Sequence, residues 1–172
     1  MQFVACTHDA HAGAILDILN EAIANSTALY DYRPRPPESM AGWFKAKETG
    51  RFPVIGVVEN QKLLGFASYG TFRAWPAYKY TVEHSVYVHR DHRGKGVGAA
   101  LLKQLIDAAR EQQYHAMIGG IDAANRASVA LHEKLGFVHA GTIRHAGFKF
   151  ARWLDLAFYQ LLLETPARPL DG

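Results

Sequence analysis

The chain holds a single cysteine, Cys6, so no disulfide can form within it and no set of thiolates is available to bind a metal. That usage fits a reducing, cytoplasmic setting. Long apolar runs are missing too: stretches such as Leu161-Leu162-Leu163 fall far short of the roughly 18 residues that a membrane-spanning helix needs. The opening "MQFVACTHDAHAGAIL" lacks the basic start and unbroken apolar stretch of a secretory signal. No membrane partner is expected. Positive charge is slight, 19 Lys and Arg against 16 Asp and Glu for a net +3, and it gathers into no long tract and no RNA-reading motif. A small polyanion is therefore expected as partner, and nucleic acid is not. No internal repeat and no linker rich in Gly, Ser or Pro divides the chain.

What is present is an ordinary globular mixture: 172 residues, 49% hydrophobic and 20% charged, enough for one compact core and short for two ordinary domains. One domain is expected over residues 1–164, with a loose tail over 165–172. "QFVACT" reads as a strand, and the next eighteen residues place Ile15, Ile18, Leu19, Ala22 and Ile23 on a helical stripe. Pro34, Pro36 and Pro37 punctuate the chain before a shorter helix carrying Met40, Trp43 and Phe44. "FPVIGVVE" and "LLGFASYGTF" flank the turn "NQK" as a hairpin, "RAWPAYKY" interrupts, and "TVEHSVYVH" resumes as a strand. From Val97 a helix buries Leu101, Leu102, Leu105, Ile106 and Ala109. A strand "HAMIGGI", a helix capped by Asn125 and stopped by Gly136, and two strands, "FVHAGTIRHAG" and "RWLDLAFYQLLL", complete an α/β order with a mixed sheet.

Between the strand at Thr81 and the helix at Val97 lies "HRDHRGKGVG", three glycines at a strand-to-helix junction. Glycines there let the backbone approach a ligand, and a helix's unpaired first N–H groups attract phosphate. A nucleoside-triphosphate loop needs a Ser or Thr after its Gly-Lys, whereas Lys95 is followed by Gly96. A dinucleotide fingerprint fits Gly94, Gly96 and Ala99 as G-x-G-x-x-A, but the preceding strand follows an antiparallel hairpin and carries Glu83 and Tyr87, unlike the buried first strand of such units. His89 and His92 form a spaced pair in a polar loop with no Cys or carboxylate set to complete a metal site, and no metal is expected.

A third reading starts at Arg93. "RGKGVG" is Arg-x-x-Gly-x-Gly after a "VYV" strand, and with "NRASVALHEKLGF" about thirty residues on it resembles the GNAT N-acetyltransferase superfamily. "NSTALYDYRP", "AYKYTVEHSVYV" and "AGFKFARWLDLAFYQL" narrow the resemblance to its phosphinothricin and methionine sulfoximine acetyltransferase-like branch, almost end to end. The resemblance implies a single-domain α/β fold, a mixed and mostly antiparallel sheet flanked by about four helices. It further implies an acetyl-CoA-dependent acyltransferase acting on the α-amino group of a small amino acid or analogue by direct transfer, and a homodimer.

It also implies site residues. Acetyl-CoA would lie against Val86, Tyr87 and Val88 on the strand, then Arg93, Gly94, Lys95, Gly96, Val97, Gly98 and Ala99, with Asn125 on the pantetheine arm. Glu83 would take the proton of the substrate ammonium, a service typically worth about 10²–10⁴ in rate. The amide of Val88 would polarise the thioester, and His132 would either protonate the departing thiolate or orient substrate. Leu29, Tyr30, Arg73, Trp75, Tyr78 and Tyr87 would line the acceptor pocket, with the Arg73 guanidinium matching an acidic group. At Trp75 the chain departs from the herbicide-detoxifying members, which carry a second basic residue there; this weighs against phosphinothricin itself. Two other functions stay open at this level: acetylation of protein N-termini or polyamines, and a CoA-binding module without catalysis.

Overall fold

The apolar stripe after the first strand closes into helix α1, His8–Asn25, which buries Ile15, Leu16, Ile18, Leu19, Ala22 and Ile23. The helix begins where the Thr7 amide donates to Nδ1 of His11 at 3.0 Å, a capping return from the first turn. It ends where Ser26 gives both its amide and its hydroxyl to the carbonyl of Ala22. The structure, a computed structural model, describes residues 1–171. The chain divides into two compact units: Met1–Tyr69 with Ser85–Leu105, and Gly70–His84 with the residues from Ile106 onward.

In the first unit α1 is followed by α2, Ser39–Thr49, entered through Pro36 and Pro37 as the proline pattern requires. The loop between the helices is held by Asn20, whose amide donates to the carbonyl of Arg35 at 3.0 Å and accepts from its N–H at 2.7 Å. An Asp31–Arg35 ion pair at 3.1 Å tightens the same loop. Strands β1, Gln2–Ala5, β2, Val54–Glu59, and β3, Lys62–Thr71, pair antiparallel in sequence. The "NQK" hairpin turns on Asn60 and Gln61, whose φ angles of 48° and 63° are the left-handed pair that suits the twist of a two-residue hairpin.

Of strand β4, Thr81–Val88, residues 81–84 count with the second unit and 85–88 with the first. In the second unit its first three residues pair in parallel with β5, Ala116–Asp122: Thr81 with Ala116, Val82 with Met117, Glu83 with Ile118. β5 then pairs antiparallel with β7, Arg152–Leu162, and β7 with β6, Val138–Lys149. The full strand order is β1-β2-β3-β4-β5-β7-β6. Helix α3, Val97–Glu111, follows the glycine loop, and α4, Arg126–Lys134, follows β5, so the expected mixed sheet with four helices is what forms.

The stretch from residue 165 makes hydrogen bonds within the second unit. The Tyr80 hydroxyl accepts from the amide of Leu170 at 3.1 Å, and Nδ1 of His115 lies 3.0 Å from the carbonyl of Thr165. The Thr165 hydroxyl donates to the carbonyl of Tyr114. The tail thus meets the Tyr80 and His115 side chains and the Tyr114 carbonyl, groups that lie just before β4 and β5. Gly172, the last residue of that tail, lies outside the described residues.

Candidate active site

The first unit carries the glycine loop. Gly94 and Gly96 have φ of 72° and 82°, conformations costly for any residue with a Cβ, and a Cβ at either would meet nothing within 4 Å. Backbone need, not crowding, calls for glycine here. Alternating left-handed residues just ahead of a helix start turn successive N–H groups into one concavity, a form suited to phosphate oxygens. Val97 is buried and anchors the first turn of α3, while Gly94, Lys95 and Gly96 are exposed and Gly98 and Ala99 half-buried. The residues present thus fit the pyrophosphate of a coenzyme A.

Arg93 serves the loop in a way the sequence did not disclose. Its guanidinium bonds to the Glu21 carboxylate on α1, and its Nε donates to the carbonyl of Val88 at 3.2 Å. Lys95 donates to the carbonyl of Asp91 at 2.8 Å. Both side chains are engaged in holding the loop's shape. On the adjoining end of β4, Val86, Tyr87 and Val88 are half-buried, and Tyr87 packs against Phe66 with ring centroids 5.4 Å apart. Leu29 packs on the same core cluster, and Tyr30 is partly exposed. Burial pushes the Cys6 thiol up to about 11, which removes it as a nucleophile near neutral pH.

The second unit carries Glu83. It is half-buried on β4, and desolvation raises its carboxyl above the ordinary range, against a smaller opposing pull from the Arg73 cation. Arg73 lies in the loop before β4 with its guanidinium 4.7 Å from the ring of Phe72, and Tyr78, in a one-turn 3₁₀ helix Pro76–Tyr78, sets its ring edge-on to the same Phe72 at 5.7 Å. Arg73 and Tyr78 thereby meet on one aromatic residue, and the Arg73 charge acts on Glu83. Trp75 in that loop is 70% exposed.

His132 is placed otherwise than a helix-surface residue. It is buried, its Nδ1 lies 2.7 Å from the carbonyl of Ser128, and its Nε2 lies 3.1 Å from Nε2 of His84. Strand alternation sends His84 to the face of β4 opposite Glu83, so the two histidines and the carboxylate occupy different faces. Burial lowers both histidines, His84 to about 3. Asn125 caps α4, its Oδ1 accepting from the amide of Ser128 at 3.1 Å, which leaves its amide N–H groups as the donors for a ligand.

Sequence reading missed His84, because its partner is 48 positions away. It also missed the consecutive glycines of β5. A Cβ at Gly119 would come within 2.8 Å of His84 Nε2 and 3.1 Å of His132 Nε2, and one at Gly120 within 3.2 Å of Glu83 Oε1. Two glycines inside an apolar strand were the available signal of close approach. The spaced pair His89 and His92 stays in the polar loop, and among the described residues no three His, Cys, Asp or Glu side chains gather as a metal site.

The model of the acetyltransferase (GNAT) family matches residues 16–137. The L-methionine sulfoximine/L-methionine sulfone acetyltransferase of Salmonella typhimurium is 42% identical over 160 residues, covering 93% of this chain and 94% of that protein. Among solved structures, a protein of Acinetobacter baylyi superposes with a TM-score of 0.98 at 62% identity, covering 99% of this chain and 96% of that one. A GNAT superfamily phosphinothricin acetyltransferase from Sinorhizobium meliloti, in complex with AcCoA, superposes with a TM-score of 0.93 at 33% identity, covering 99% and 94%.

Proposed function

The chain belongs to the acetyltransferase (GNAT) family, and on that premise we propose that it is a cytoplasmic, acetyl-CoA-dependent N-acetyltransferase of a small α-amino acid or analogue, of the methionine sulfoximine, methionine sulfone or phosphinothricin kind. Relatives bearing those activities in their names support the substrate class. Bound acetyl-CoA would supply an activated acyl carbon and a thiolate as leaving group. The backbone of Val86, Tyr87 and Val88 aligns the pantetheine arm, the N–H groups from Arg93 to Ala99 hold the pyrophosphate, and the amide of Asn125 donates to the arm.

Glu83 takes the proton of the substrate ammonium, directly or through one water. The freed amine then forms the C–N bond as the C–S bond breaks, the bonding pair leaves on sulfur, and the second proton that the nitrogen sheds ends on that thiolate as the free thiol; the amide of Val88 stabilises the charge that grows on the carbonyl oxygen. Arg73 and Tyr78 hold the acceptor's acidic end, with Leu29, Tyr30 and Trp75 shaping its pocket. The observation that carries this reading is Glu83 itself: a half-buried carboxylate, raised by desolvation and faced by one cation, on the strand that three residues later begins the run Val86–Val88.

Release of free CoA thiol across methionine sulfoximine, methionine sulfone, phosphinothricin, a peptide panel and spermidine tests the proposal. Turnover is expected with the sulfone and sulfoximine and, given Trp75, less with phosphinothricin. Turnover confined to peptides or spermidine, or CoA binding with no turnover at all, overturns it. We also propose a homodimer. β6 ends the strand order and exposes Val138, Ile143 and Phe148, with Phe150, Trp153 and Leu162 exposed nearby in the same hairpin. A strictly monomeric mass by light scattering at micromolar concentration contradicts it.

A further inference from the structure

The proton inventory of the His84–His132 pair is fixed by its neighbours. The Ser128 carbonyl can only accept, so at 2.7 Å His132 must carry its proton on Nδ1, leaving a lone pair on Nε2. The opposite nitrogen, Nε2 of His84 at 3.1 Å, must then be the donor, for any other pair of neutral tautomers sets two lone pairs or two protons against each other. That leaves Nδ1 of His84 as a lone pair, and it is the one buried side-chain polar atom without a partner among the described residues. A third proton would have to sit there, with no acceptor and no counter-charge.

Among the described residues, the charge that acts on His84 is that of His132, which opposes a proton there. Gly119 lies flush beneath both rings, Phe137 stands edge-on to both, and the titratable groups recorded against the pair are Tyr159 of β7, ring centroid 6.4 Å from that of His132, and His139 of β6 behind it, 5.4 Å from Tyr159. Burial lowers the pKa of both histidines, in keeping with a neutral pair.

The hydrogen bonds continue in one direction. His84 donates to His132, His132 to the Ser128 carbonyl, and the Ser128 amide to Oδ1 of Asn125. We infer that His84 is a positioning residue for the cofactor arm: through His132 and Ser128 it fixes the first turn of α4 and the orientation of Asn125, and the pair gives no proton to the departing thiolate. The inference rests on the proposed place of Asn125 at the pantetheine arm. It removes the thiolate-acid role from His132, because the Nε2 that would donate carries no proton, and gives it a bracing role in place of contact with substrate.

The test compares His84→Gln, whose amide can still donate to Nε2 of His132, with His84→Phe, which fills the space without a donor. Titration calorimetry with CoA and steady-state kinetics with methionine sulfone are measured on both, and folding is checked by thermal melting. The Phe variant is expected to weaken CoA binding and raise KM for acetyl-CoA about tenfold with kcat within about twofold, and the Gln variant to regain most of that loss. Equal losses in the two variants, or a fall in kcat at constant KM together with loss of the alkaline limb of the pH profile, overturn the inference. If neither variant folds, imidazole ¹⁵N spectra of the wild type decide: protons on His132 Nδ1 and His84 Nε2 from about pH 6 to 8 uphold it, and a proton on His132 Nε2 contradicts it. Because CoA binding needs no acceptor, failure to find a substrate would count against the proposed function and leave the CoA series to judge His84.

Discussion

Gly120 on β5 admits the carboxylate of Glu83 on β4: a Cβ at position 120 would stand 3.2 Å from Oε1 and 3.3 Å from Cδ1 of Leu156. Its neighbour Gly119 does the same on the other face of the sheet, where a Cβ would press to 2.8 Å from Nε2 of His84. Two adjacent glycines of β5, Gly119 buried and Gly120 exposed, thus serve a histidine brace on one side and a proposed base on the other.

Replacing Gly120 by Ala is expected to move the Glu83 carboxylate by a few tenths of an ångström and lower kcat about tenfold, with KM for acetyl-CoA unchanged, since the glycine loop belongs to a different part of the chain. Steady-state kinetics read this directly. Wild-type kcat in a folded Gly120→Ala variant would show that the carboxylate's placement does not matter.

Arg73 lowers the pKa of Glu83 while burial raises it further. A base must be ionised to accept a proton, so activity falls as pH drops through the Glu83 pKa, above the ordinary carboxylate range. Arg73→Gln removes the lowering influence and is expected to shift that acid limb to higher pH while raising KM for the acceptor at least tenfold. A limb that stays in place or moves down contradicts the pairing.

The buried histidine makes the fold acid-sensitive in a defined window. Unfolded, His84 takes up a proton near pH 6.5, whereas folded it resists one until about pH 3, so the unfolded state binds more protons between those values. Stability therefore declines as pH falls through that window. Urea melts from pH 7 to 4 should show a shallower decline for His84→Gln than for the wild type.

Most of the architecture was legible because it is written locally. The stripe on α1, the prolines before α2, the "NQK" turn and the Asn125 cap each sit within a few residues of the structure they specify. The glycine loop was legible for the same reason. What escaped is non-local: His84 with His132, Arg93 with Glu21, and the tail's return to Tyr80 join residues far apart, and nothing in the spacing of either partner announces the other.

The most direct test of the account is the kcat of Glu83→Gln with methionine sulfone as acceptor, measured by CoA thiol release from pH 6 to 9. The account predicts a fall of about 10²–10⁴ at neutral pH, loss of the acid limb, and CoA binding kept near the wild-type value. A variant that turns over at the wild-type rate with the same pH profile would contradict it.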